Sequence, residues 1–347
     1  MHMLARGELM RFHCLAAALM MVMLATACSA GTGEDTGDDG APGGTLVAAG
    51  SRWVQTRDLS REGGWTQQLE YAVRYALPSA HPQSMTMYMA RFTMADPFHV
   101  DVHDLNTFDI VEPRLIEWPD TSLAHEMYGL AVSPDESHVA GVLSTVGGKY
   151  LEILALEAEG PRALLTGFRD VTGTDVVWQD DTKLLFSMDL TAVDDPAVGD
   201  LSGAIVAIDL SELMAGGPEG QVETSILVGF GADDWSGVAD VHSLALSPDR
   251  SRLAYTSSGD IWVKDFGEPG SGPRQVTTGP FPHRGAAFSP DGSTLAFVEY
   301  VAEYESSVFL IPVNASEPLL IDSDRPEGRN YRLDGVAAST ILAWLPR

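Results

Sequence analysis

Lysine is nearly missing from this chain. Only Lys149, Lys183 and Lys264 occur in 347 residues, and Lys and Arg together number 21 against 49 Asp and Glu, for a formal net charge of −28. A surface that grips nucleic acid needs a basic stripe to displace counterions from phosphates, and no such stripe exists here. Cysteine is scarce too: Cys14 and Cys28 make at most one disulfide, which excludes a disulfide scaffold. Nucleophile-elbow, phosphate-loop, dinucleotide and zincin signatures are absent, so the chain offers no familiar catalytic set. What is present is 45% apolar residues, enough for a core and too many for a disordered chain.

The N-terminus carries the longest apolar run, Cys14–Leu24, preceded by Arg6 and Arg11. About a dozen residues suit a secretory signal better than a bilayer span. The run ends Leu24-Ala25-Thr26-Ala27-Cys28, which resembles a bacterial lipobox, although Ala25 stands where leucine is preferred. The resemblance implies a signal peptide over 1–27, lipidation of Cys28 and anchoring to a membrane of the cell envelope. Ser29 stands where an aspartate would retain a lipoprotein on the inner membrane, so the outer membrane is favoured. Residues 28–44 then form the lipidated cysteine and a flexible acidic tether rich in Gly, Asp and Glu.

Internal repeats organise the rest. Ser133-Pro-Asp, Ser247-Pro-Asp and Ser289-Pro-Asp each follow an apolar run and precede a second one, and Gln179-Asp-Asp is a shorter copy. The anchors are spaced by 46, 68 and 42 residues, the middle interval containing an insertion. Proline stops a ladder because it cannot donate, and aspartate bonds the amides of the turn that follows. Second strands are expected at His138–Ser144, Lys183–Met188, Arg252–Ser257 and Thr294–Tyr300. Third strands follow at Tyr150–Leu156, Ala204–Leu210, Asp260–Phe266 and Ser307–Val313. Fourth strands are expected at Arg162–Thr166, Ser225–Phe230, Arg274–Thr278 and Pro318–Ile321, giving an all-β chain.

These residues resemble the TolB-type β-propeller repeat, in full only at Ser289-Pro-Asp-Gly-Ser-Thr-Leu-Ala-Phe, with clear likeness over about 128–323. The resemblance implies a single propeller over 45–347, built of four-stranded blades. Six blades fit best, with five or seven left open. A blade lacking the Ser-Pro-Asp turn is expected from Gln68–Leu77, Met85–Phe92, His99–Leu105 and Phe108–Ile116, with Ser79-Ala-His-Pro as its turn. Thr45–Gln55 is expected to join two C-terminal strands and close the ring, since an open apolar edge invites aggregation.

Ligands of propellers meet the ring at the channel. Counting back from the anchors gives Tyr128, Thr174, His242 and Arg284, with His283 one residue earlier. These five are the candidate channel-mouth residues, against the plainer reading of solvated strand starts. His99, Asp101 and His103 share one face of a strand and could offer zinc two imidazoles and a carboxylate, or simply form a wet outer face. The acidic segments Asp194–Asp200 and Asp233–Asp240, the second with Trp235, could take calcium but lack an alternating ligand pattern. No cofactor is therefore assigned. The expected function is a non-catalytic, lipid-anchored module that binds an envelope protein or peptide as a monomer. The alternative is a lactonase- or lyase-like propeller enzyme using His242, His283 and Arg284 at the channel mouth.

Overall fold

The computed structural model describes residues 43–346 apart from 50–52, 62–63, 71–77, 94–95, 112–115, 118–125, 146–147, 158–159, 170, 192–197, 217–221, 232–240, 268–270, 303–304, 316, 322–330 and 337–339. The signal, Cys28 and the tether to 42 lie outside the described residues, as do most of the two acidic segments. The chain is all-β, arranged as six four-stranded antiparallel sheets in a ring: a six-bladed β-propeller.

The described chain begins with β1 (Thr45–Ala49), β2 (Trp53–Asp58) and β3 (Thr66–Glu70), which wait for a C-terminal partner. Blade I is β4 (Ser79–His81), β5 (Thr86–Thr93), β6 (Asp96–Asp104) and β7 (Ile116–Glu117). Blade II is β8 (Glu126–Val132), β9 (His138–Thr145), β10 (Gly148–Glu157) and β11 (Gly160–Arg169). Blade III is β12 (Val171–Trp178), β13 (Lys183–Asp189), β14 (Leu201–Asp209) and β15 (Glu223–Gly231), with a single-turn helix α1 (Ser211–Met214) before β15. Blade IV is β16 (His242–Leu246), β17 (Arg252–Ser257), β18 (Asp260–Asp265) and β19 (Arg274–Gln275), followed by β20 (Thr277–Thr278). Blade V is β21 (His283–Phe288), β22 (Thr294–Ala302), β23 (Glu305–Pro312) and, after β24 (Leu319–Leu320), β25 (Tyr331–Val336). Finally β26 (Thr340–Leu345) pairs with β1 to complete blade VI in the order β26-β1-β2-β3.

Strand alternation explains why the ring holds together. Both faces of each second strand are largely apolar, because each blade is sandwiched between two others. Leu46 and Ala48 of β1 pack against blade V, while Val47 between them packs against blade I. The same holds around the circle, so the core is divided into six apolar layers, one between each neighbouring pair of blades. Closure by β26 leaves no blade without a neighbour.

Several boundaries differ from the sequence reading. Gln68–Glu70 belong to the outer strand of blade VI, and the described inner strand of blade I is Ser79–His81, the segment expected to be a turn. Only His81-Pro82 plays the Ser-Pro part: His81 still pairs with Thr86, and the proline ends the ladder. The fourth strand of blade I is Ile116–Glu117, because Asp104 folds the chain at Asn106 and Thr107 by accepting from both amides. Leu319–Leu320 is not the outer strand of blade V. It runs parallel to Thr277–Thr278 and clips blade V to blade IV, leaving the outer place to β25. Closure uses three N-terminal strands and one C-terminal strand rather than one and two.

Candidate functional site

The inner strands β4, β8, β12, β16, β21 and β26 each stand at one end of their sheet's order, so each turns one unpaired edge to the axis. Their side chains there are small, Gly129, Ala131, Ala245, Gly285, Ala287 and Ala343 among them, and the ring is hollow as a result. The central cavity measures about 440 Å³ and is lined by all six blades. Trp178, Leu246, Phe288 and Trp344 add apolar wall, and Asp175, Ser243 and Thr340 add polar groups at its deeper end. Its other end is ringed by the turns: Gln83, Pro248, Pro290 and Pro346 line it and are exposed, so the channel opens on the Ser-Pro-Asp side.

Those turns are rigid. Ser133 Oγ donates to Asp135 Oδ1 at 2.6 Å and accepts from His138 N at 2.9 Å, and Asp135 also accepts from the Ser137 amide at 3.0 Å. Ser247–Asp249–Ser251 and Ser289–Asp291–Ser293 repeat this network. The Ser247 hydroxyl, then the Ser251 amide and hydroxyl, hold Asp249 down to about 2. The residue after each aspartate is left-handed: Glu136 at φ 56°, Arg250 at φ 57° and Gly292 at φ 71°. Only glycine adopts this conformation freely, so blades II and IV accept strain to place a side chain there.

Both strained residues serve the turn end of the channel. Glu136 accepts from Tyr88 Oη at 2.8 Å and sits 3.7 Å from His81 Nδ1. His81 is 7% exposed, lines the cavity and bonds Ser84 Oγ through Nδ1 at 2.8 Å. Burial holds His81 below the ordinary histidine range, Glu136 opposes, and the charge of Arg250 lowers it further. Arg250 is half-buried, lines the cavity and bonds only a neutral group among the described residues, the Gln179 carbonyl at 3.3 Å. At the deeper end the Ser243 amide donates to Asp175 across the joint between blades III and IV. Ser243 at φ 60° and Gly285 at φ 57° mark the bulges that interrupt β16 and β21 there.

His242, His283 and Arg284 lie beyond those bulges, and Tyr128 and Thr174 fall where the registers of β8 and β12 shift. Among the four whose side chains are described, none lines the cavity. His283 is 0% exposed between blades IV and V. Its Nδ1 meets Thr277 Oγ1 at 2.9 Å and Asp260 Oδ1 at 3.3 Å, its ring stands edge-on to Phe297, and burial lowers it to about 4. Tyr128 is half-buried under Lys149, whose Nζ lies 4.4 Å from the ring centre, and Arg284 lies over Tyr300 at 5.0 Å. His242 is half-buried opposite Thr256, and Thr174 belongs to β12. A bulge inserts one residue and reverses the alternation, so residues before it face the layers between blades. His99, Asp101 and His103 do fall on β6, but His103 is not on a wet face: it is 6% exposed and donates from Nδ1 to the Phe108 carbonyl at 3.1 Å. On the opposite face of β6, Val100 and Val102 pack against blade II. Among the described residues no group of three or more His, Cys, Asp or Glu side chains is arranged to hold a metal. Arg250, His81 and Gln83 were missed; the departure from glycine after Ser247-Pro-Asp was the available signal.

No protein-family model matches the chain, and no curated protein does. Solved structures do. TolB from Acinetobacter baumannii superposes with a TM-score of 0.55 at 14% identity, covering 89% of this chain and 68% of that one. The structure of the nidogen/laminin complex gives 0.53 at 14% identity, covering 85% of this chain and 99% of the matched one. A putative TolB from Agrobacterium tumefaciens gives 0.50 at 14% identity, covering 88% and 94%. At such identity the likeness is one of fold, which these structures share with this chain.

Proposed function

We propose that the protein is a non-catalytic binding module that holds an extended segment of a protein partner in its central channel, from a lipid anchor at Cys28 in the cell envelope. One observation carries this reading: six inner-strand edges surround a cavity of about 440 Å³ that opens to solvent at the turn end. Edges of this kind bond the main chain of an extended peptide, while the apolar wall takes its side chains. That a solved structure with the same fold is of a nidogen/laminin complex agrees with protein binding as a use of the scaffold. The net charge of −28 works against polyanionic ligands at long range.

The test is capture of partners from solubilised envelope membranes by the intact chain after crosslinking. Ala245→Phe narrows the channel, and Gln83→Trp obstructs its exposed rim without touching an apolar layer. Both variants should fold and lose the captured protein. Capture unchanged by either variant would show that the partner does not use the channel. Cys28→Ala should release the protein from the membrane fraction, and retention there would remove the lipid anchor from the reading.

A further inference from the structure

The cationic group at the turn end of the channel points to the chemistry of what binds there. The chain carries 49 Asp and Glu against 21 Lys and Arg. Arg250 nevertheless has no carboxylate in salt-bridge range among the described residues, and its one hydrogen bond goes to the Gln179 carbonyl. Asp180 and Asp181 act on it only through space, against the burial that disfavours its charge. Glu136, the residue at the same turn position in blade II, is turned to blade I by the Tyr88 hydroxyl. His81 faces the same space, and its burial holds it below the ordinary histidine range. The guanidinium is also placed at a cost, on a left-handed residue whose counterpart in blade V is Gly292. Strain of that kind persists where surrounding structure or function maintains it.

We propose that the turn end of the channel holds a carboxylate of the bound segment, either its C-terminal carboxylate or an acidic side chain, with Arg250 as the counter-ion. The proposal rests on the channel reading above and names the group it selects. Guanidinium and carboxylate match as a planar, two-bond pair, and the partly dry channel strengthens that pair relative to water. Four residue steps from Ser243 to Ser247 give the wall a depth of about 13 Å. The rest of a short extended segment therefore lies against Leu246, Phe288 and Trp178. The surrounding negative field disfavours a free anion, so the apolar contacts are needed to bring the carboxylate in.

The experiment is isothermal titration of the full chain with three peptides: acetyl-alanyl-valyl-leucine, its C-terminal amide, and acetyl-alanyl-glutamyl-leucine amide. At least one carboxylate-bearing peptide should bind saturably and at least tenfold more tightly than the uncharged amide. Which one binds distinguishes a C-terminal from a side-chain source. Arg250→Gln should reduce binding to the level of the amide, with its folding checked by circular dichroism. Arg250→Gly, which gives this turn the residue blade V already has, is the second variant. An uncharged amide that binds as well as the acids, a preference that survives loss of Arg250, or no binding by any peptide would overturn the proposal. The two readings fail separately in partner capture. Loss with Ala245→Phe but not with Arg250→Gln leaves the channel standing and removes the carboxylate. Capture unchanged by Ala245→Phe removes the channel itself.

Discussion

The two ends of the inner strands are built from the same kind of residue and used in opposite ways. Each end carries a buried histidine and an arginine. At the start of β21, His283 and Arg284 are spent on packing: one is sealed between Thr277, Asp260 and Phe297, the other lies over Tyr300. At the turn end, His81 and Arg250 line the cavity. In β16 and β21 a bulge stands between the two ends and shifts the alternation of side chains by one. Residue type alone therefore does not tell a ligand-facing group from a structural one here; the position relative to the bulge does.

The largest effect should come from the bulge itself. Gly285 has φ 57°, and a Cβ placed on it would lie 2.2 Å from Thr340 Cα. Thr340 is backbone of the closing strand, so relief would require β26 to move. Gly285→Ala should cost on the order of 3 kcal/mol, combining left-handed strain with overpacking, as read by urea unfolding. At the turn end, Gly292 has φ 71°, but its Cβ would meet Pro248 Cδ at an ordinary 3.6 Å and, closer, the Arg252 Nη2 atom at 2.9 Å. That is the tip of a flexible side chain, so Gly292→Ala should cost about 1 kcal/mol. Equal costs would mean that the bulge does not position the closing strand.

The buried histidine at the strand start comes next. Burial lowers His283 from 6.5 to about 4, so the unfolded chain takes up a proton more readily than the folded one. Its contribution is in full force above pH 6.5 and is lost as pH falls through 4. The difference of about 2.5 pH units corresponds to roughly 3 kcal/mol, an upper figure because Asp260 lies beside it. Burial raises the Asp260 carboxyl, which favours the folded state at low pH and opposes part of the loss. His283→Gln should flatten the acid limb of the unfolding profile between pH 6.5 and 4. An unchanged limb would place the acid sensitivity elsewhere.

The sequence makes the turn legible and the bulge illegible, for a physical reason. Ser-Pro-Asp is a local device: hydroxyl, ring and carboxylate complete their bonds within six residues, as Ser289, Asp291 and Thr294 do, and no other segment is needed. Blade spacing and fold class follow from it. A bulge has no such local chemistry. Left-handed Ser243 bonds through its amide to Asp175 of another blade, and left-handed Gly285 lies where Thr340, from the far end of the chain, leaves no room for a Cβ. Nor does periodicity reveal that Leu319–Leu320 would pair across blades instead of within one. The channel was expected and is there; the residues that line it depended on contacts made only after the ring closes.

The smallest effect on stability should accompany the sharpest effect on binding. Arg250→Gly removes a left-handed side chain, a gain of about 1–2 kcal/mol. Against it stand the lost bond to Gln179, worth about 1 kcal/mol, and the greater freedom of glycine when unfolded, worth a similar amount. The terms nearly cancel, so unfolding should shift by less than about 1 kcal/mol while carboxylate binding falls at least tenfold. Ser289→Ala gives the contrast: it breaks the bonds to Asp291 and Thr294 but leaves Arg250 in place, so it should cost about 1–2 kcal/mol with binding unchanged. A variant at Arg250 that weakens folding as much as it weakens binding would make the guanidinium another packing group. The two ends of the channel would then be alike after all.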